Sequence, residues 1–156
     1  MKTPIKIIDL FAGPGGLSEG FSASKNNFKI AISIEKETSA HRTLLLRAFF
    51  RQFKKVPDEY YQFMRGELGS SPEEKLYKTP KFTKEFDAAN KEARQFTLGK
   101  DNEEIYRAIR ETINPSEDCI LIGGPPCQAY SAAAKARNLN NKDYKAEDDH
   151  RNFLYP

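Results

Sequence analysis

The residues of this chain best suited to chemistry stand together at Gly123-Gly124-Pro125-Pro126-Cys127-Gln128. A thiol follows two prolines there, straight after the run Cys119-Ile120-Leu121-Ile122, which is bounded by Asp118 and Gly123 and reads as a buried strand. Pro126 lacks a backbone donor and biases Pro125 to extended backbone, so the loop can present Cys127 in few ways. A thiol at the carboxyl end of a strand is a candidate nucleophile; the plainer reading is a small inert residue in a turn. Two further groups change the balance. The glycine-rich Ala12-Gly13-Pro14-Gly15-Gly16 follows the apolar run from Ile5 to Asp9, and its missing side chains let backbone come close to a ligand. Glu35 ends the next apolar run, where a carboxylate can accept both hydroxyls of a ribose. Asp101, at the end of Gly99-Lys100-Asp101, can accept from an adenine amine or simply cap a helix.

These groups need a frame to hold them, and the pattern supplies one. Strand, tight loop and helix are expected over residues 5–9, 12–16 and 17–24, with a second strand over 28–34, which makes a β-α-β unit and a parallel sheet. Residues 38–56 predict an amphipathic helix: Leu44, Leu45, Ala48, Phe49 and Phe53 recur at helical spacing, while Arg42, Arg47, Arg51, Lys54 and Lys55 give it a basic face. That face reads as a solvated side of a packing helix ahead of a phosphate-contacting surface. Short helices are expected over 57–80, starting at Pro57 and at Ser71-Pro72, where Glu74 completes a capping box. A helix over 82–94, a third strand over 95–98 and a helix capped by Asp101 with Glu104 follow, the last lined by Ile105, Ile109 and Ile113 until Asn114-Pro115 stops it. Residues 130–149 show no periodicity and read as a loop. If strand order runs third, second, first, fourth, the Cys127 loop stands beside the glycine loop.

Composition narrows the class. The 156 residues suit one domain, and 38% hydrophobic with 30% charged residues is ordinary for a globular protein. No run is long enough to span a membrane and no signal-peptide pattern opens the chain, so a cytoplasmic location is expected. Cys119 and Cys127 match neither metal-ligand pairs nor a disulfide framework, so no metal is expected. A net charge of +3 permits a polyanionic partner without arguing for one.

Alone, Gly13-x-Gly15 with Glu35 suits a dinucleotide oxidoreductase as well as any other nucleotide-like cofactor. Ser18 stands where that fingerprint has its third glycine, and hydride transfer has no role for a thiol behind two prolines. The sequence Asp9-Leu10-Phe11-Ala12-Gly13-Pro14-Gly15-Gly16-Leu17-Ser18-Glu19-Gly20-Phe21 resembles the first motif of DNA cytosine-5 methyltransferases, and Gly123-Gly124-Pro125-Pro126-Cys127-Gln128-Ala129-Tyr130-Ser131 resembles their catalytic loop. Glu35 matches the acid after the second strand, residues 99–101 approximate the third-strand motif, and Arg151-Asn152-x-Leu154-Tyr155 is similar to the element after the catalytic loop. Residues 41–94 remain as an expanded spacer, read as a helical insertion.

The resemblance implies a Rossmann-like α/β fold of the S-adenosylmethionine-dependent kind, here a partial, doubly wound, mostly parallel sheet. It implies methyl transfer from S-adenosylmethionine to C5 of cytosine in DNA, with Cys127 as the nucleophile. Phe11, Ala12, Gly13, Gly15, Gly16, Leu17, Glu35, Asp101, Pro126 and Leu154 would surround the cofactor, and Gln128 and Ser131 would touch the substrate strand. Family members continue into a Glu-Asn-Val motif, an arginine-bearing motif and a target-recognition domain, none of which precedes Pro156. The expectation is therefore the amino-terminal part of a longer or split enzyme, inefficient alone, whose partners are DNA and a cognate restriction endonuclease or C-terminal half subunit. An RNA cytosine methyltransferase and a non-catalytic remnant that binds nucleic acid or a partner are the alternatives.

Overall fold

The computed structural model describes residues 3–24 and 26–125 and the isolated positions 136, 140 and 145. Strands β1 (Ile5–Leu10), β2 (Phe28–Glu35), β3 (Ala93–Gln95) and β4 (Cys119–Gly123) form one parallel sheet in the order β3-β2-β1-β4. Its centre is made of branched side chains that suit a sheet covered on both faces, with Ile7, Ile32 and Ile34 wholly buried. This is the Rossmann-like α/β arrangement expected from the sequence, with the strand order that sets the fourth strand beside the first. One irregularity interrupts it. Ile7 lies opposite Ile30 and Ile8 opposite Ile32, so Ala31 is an extra residue on β2, a bulge.

Helix α1 (Gly16–Ala23) follows the glycine loop and α2 (Thr38–Arg51) follows β2. Glu37 starts α2 by accepting the Ala40 amide at 2.8 Å. The helix stops five residues short of its expected end, where Gln52 Nε2 donates to the Ala48 carbonyl at 3.0 Å. Its apolar face, Leu44, Ala48 and Phe49, packs with Leu76 of α4 (Pro72–Tyr77), Phe82, Ala89 of α5 (Thr83–Glu92), Ala93 and Ala12 of the glycine loop. Phe53, Tyr77 and Phe82 meet Phe49 edge-on at centroid distances of 4.9, 5.3 and 6.0 Å, which adds a directional aromatic term to the apolar burial. Between α2 and α4, α3 (Asp58–Met64) begins after Pro57 as predicted. On the other face of the sheet, Ile105 and Ala108 of α6 (Asn102–Thr112) pack on Ile8, Ile32 and Ile34.

Several expectations are corrected. The third strand covers Ala93–Gln95 rather than 95–98, because α5 ends at Glu92 and Phe96 and Leu98 leave the ladder to pack beside α6. β4 is not buried as expected: Cys119 is exposed and Leu121 is 63% exposed, since α6 lies over β2 and leaves uncovered the part of that face nearest β4. Neither predicted capping box forms. Ser71 takes a left-handed backbone conformation at φ 54° and makes no side-chain cap, and Asp101 turns its carboxylate back to the Thr97 amide at 2.7 Å. The basic face of α2 is divided as well. Arg42 pairs with Glu73, and Arg51, 11% exposed, pairs with Glu19 of α1 and Glu92 of α5, which ties three helices together. Among the described residues no helix is long and apolar enough to cross a membrane.

Candidate functional site

In a parallel sheet all carboxyl ends lie on one rim, and a ligand crevice opens where the strand order reverses. Here that point is between β1 and β4: the chain moves outward from β1 to β2 and β3, then crosses back to pair β4 with β1. The glycine loop leaves β1 at this rim. Phe11 and Gly13 both sit at φ 56° and Gly15 at φ 89°, the first an uncommon conformation for a residue with a side chain. Two backbone bonds of 2.9 Å fix the turn, from the Ala12 amide to the Ile34 carbonyl and from the Gly15 amide to the Ala12 carbonyl.

The glycines do different work. A Cβ on Gly13 or Gly16 would meet nothing within 4 Å, so their backbone faces open space that a ligand can enter. A Cβ on Gly15 would come within 2.9 Å of Leu44 Cδ1, and this buried glycine serves packing under α2. Leu17 is exposed just beyond.

Glu35 reaches the same loop from the end of β2. Its Oε2 accepts the Gly13 amide at 2.8 Å and its Oε1 accepts the Glu37 amide at 2.7 Å. Each carboxylate oxygen keeps a further lone pair, so the group can still accept two hydroxyls from a nucleoside. The structure thus brings together Phe11, Ala12, Gly13, Gly15, Gly16 and Glu35. Asp101 stays apart, with its carboxylate engaged in its own loop, where Gly99 also donates to Asn102 Oδ1 at 2.8 Å.

A buried polar group lies beneath the loop. Asp9 of β1, Ser18 of α1 and Ser33 of β2 are all at most 1% exposed, and the Ser18 hydroxyl donates to Asp9 Oδ2 at 2.5 Å with Ser33 Oγ 3.3 Å away. Asp9 Oδ1 has no hydrogen-bond partner. Burial pushes the Asp9 carboxyl above its ordinary range, opposed by the Ser18 hydroxyl and amide and by the Arg51 charge. Sequence reading named Ser18 only as a replaced glycine and Asp9 only as the end of a strand. An acid and a serine, each set inside an apolar run, were the available signal.

On the other side of the switch point, Leu10 lies opposite Gly123. A Cβ on Gly123 would stand 2.5 Å from the Leu10 carbonyl oxygen, so only glycine permits this approach. The loop leading to Cys127 therefore starts beside the glycine loop. Cys127, Pro126, Gln128, Ser131 and Leu154 themselves lie outside the described residues.

Comparison with known proteins points the same way. The chain is 30% identical to the type II methyltransferase M.Bpa9945I of Bacillus paralicheniformis, over 96% of this chain and 36% of that protein. It is 29% identical to the putative type II methyltransferase M.MjaORF1200P of Methanocaldococcus jannaschii, over 93% and 41% of the two chains. With the type II methyltransferase M.AquIA of a Picosynechococcus strain the identity is 26%, over 87% and 38%. The chain thus spans no more than about two fifths of the length of these relatives. No family model matches it, and no solved structure matches it.

Proposed function

We propose that this chain is the cofactor-binding and nucleophile-bearing part of a DNA cytosine-5 methyltransferase, which moves a methyl group from S-adenosylmethionine to C5 of cytosine through a covalent adduct with Cys127. One observation carries this reading: the Glu35 carboxylate is fastened to the glycine loop at Gly13, directly beside the strand that leads to Cys127. The type II methyltransferase relatives support DNA over RNA as the substrate.

The residues present fit the cofactor. Open space over Gly13 and Gly16 admits a ligand to bare backbone, and Glu35 retains acceptor capacity for a ribose. Phe11 and Leu17 would supply apolar surface, while Asp101, Pro126 and Leu154 would complete the enclosure. When bound, S-adenosylmethionine supplies an electrophilic methyl group on a sulfonium centre. Cys127 has the chemistry to activate the base: its thiolate adds to C6 of cytosine, the electron pair released from the C5–C6 double bond makes C5 nucleophilic, and loss of the C5 proton after methylation expels the thiolate. Only the thiolate attacks, so the loop must favour that form. The base must leave the duplex first, at a cost of a few kcal/mol, and Gln128 and Ser131 would hold the strand. A cognate restriction endonuclease, or a subunit supplying the rest of the sheet, is the protein partner this reading implies.

The test uses DNA carrying 5-fluorocytosine and the chain joined by the polypeptide that the relatives carry beyond the matched part. Fluorine cannot leave C5 as a proton does, so a stable protein–DNA adduct is expected with the native sequence and none with Cys127→Ala. An adduct formed by the variant overturns the nucleophile assignment. Labelled methyl transfer to tRNA but not to duplex DNA would move the substrate to RNA.

A further inference from the structure

Asp9 carries an inference of its own. It is wholly buried, one residue from the carboxyl end of β1, in a position where an apolar side chain would avoid the cost of desolvating a charge. Ser18 fastens one carboxylate oxygen at 2.5 Å and the other has no partner. The cation that acts on it, Arg51, is already shared by Glu19 and Glu92, so this buried group is net negative when its acids are ionised. Glu35 adds another negative charge at the same rim. The interior beneath the glycine loop is thus built to favour a positive charge in the crevice above it.

We infer that Asp9, held by Ser18, is a charge-selecting positioning residue, whose buried carboxylate favours a cationic sulfonium cofactor over the uncharged thioether left after methyl transfer. The inference rests on the function proposed above and deepens it. Donor and product differ by one methyl group and one charge, so contacts to ribose, adenine and the amino-acid end hold both alike. A carboxylate in a low-dielectric setting acts at distances where water would screen it, and so separates the two without touching either. It would also help to release the product.

The test is calorimetric titration of the whole chain with S-adenosylmethionine, with S-adenosylhomocysteine and with a carba analogue in which a CH group replaces the sulfonium centre. The native chain is expected to bind S-adenosylmethionine about tenfold more tightly than the carba analogue. Asp9→Asn should abolish that preference while changing S-adenosylhomocysteine affinity less than about twofold. Ser18→Ala keeps the charge and loosens its mooring, so it should weaken all three ligands together. Equal weakening of all three by Asp9→Asn would show a purely structural role and overturn the inference. So would a carba analogue that binds the native chain as tightly as S-adenosylmethionine, a result that needs no variant to fold. If the native chain binds none of the three, the proposed function falls as well, which separates the two failures.

Discussion

Glu35 Oε2 accepts the Gly13 amide at 2.8 Å while Oε1 accepts the Glu37 amide at 2.7 Å. One side chain therefore fixes the glycine loop relative to the start of α2 before any ligand arrives. A nucleoside bound to the same carboxylate would feel the loop geometry directly, which makes loop position and ribose recognition a single property.

Glu35→Gln is expected to weaken S-adenosylmethionine binding by more than about tenfold, because the amide nitrogen would face a backbone donor at one of the two positions. Glu35→Ala should also lower the unfolding free energy by about 2 kcal/mol, through loss of charge-assisted bonds to two amides. Calorimetry and urea unfolding measure the two effects separately.

Gly123→Ala sets a methyl group against the Leu10 carbonyl oxygen, backbone that cannot turn away. It should destabilise the chain by about 1–3 kcal/mol, as overpacking does, and shift the start of the loop that carries Cys127. Gly124→Ala meets nothing within 4 Å and should stay within about 0.5 kcal/mol of the native chain in the same denaturant titration.

Arg51→Met leaves Glu92, 10% exposed at its side chain, without its cation. A loss of about 3–5 kcal/mol is expected, as when one partner of a buried pair is removed. Adding Glu92→Gln removes the orphaned charge and should recover part of that loss. A double variant no more stable than Arg51→Met would show that Glu92 is not the penalised group.

Burial raises the carboxyls of Asp9 and Glu92 above their ordinary values of 3.8 and 4.5. For such groups the folded state binds the proton more tightly than the unfolded chain, so their contribution to stability is complete below those ordinary values and is lost as pH rises through the folded values. Stability measured by urea midpoint should thus decline as pH rises through this window, and Asp9→Asn should reduce the slope. Glu37, Glu67, Glu74 and Glu117 are shifted the other way, chiefly by side-chain hydrogen bonds, and act in a lower window where stability falls as pH falls. An unchanged slope in Asp9→Asn would place the dependence on Glu92.

Much of the frame is legible in the sequence because its strands are short apolar runs with marked ends. Asp9 and the glycines close the first, Glu35 closes the second and Gly123 the fourth, and the strand order follows from the crossovers between them. Ala93-Arg94-Gln95 was read as helix because it has no β-branched residue, and its pairing with Ser33, Ile34 and Glu35 comes from the tertiary fold. The caps at Ser71 and Asp101 failed for another reason. Their residue types fit, but a left-handed backbone turned one away and the Thr97 amide claimed the other. Arg51 joins Glu19 and Glu92 across 32 and 41 positions, a separation at which periodicity says nothing. The glycine loop and Glu35 were found by their motif, whereas Asp9, Ser18 and Ser33 converge only once the sheet is assembled.

The bulge at Ala31 alters how the site is counted along the chain. Because β2 takes up its extra residue there, Phe28 stays opposite Ile5 and Ile34 stays opposite Leu10 in the same pair of strands. Loss of Ala31 would leave every one of those partnerships available, so the strand has slack below the crevice. A residue added above the bulge has no such outlet: it would carry Glu35 about 3.3 Å past the loop it fastens. The distance that matters for recognition is thus the fixed run from Ile32 to Glu35, and tolerance to insertion or deletion should change abruptly at Ile32.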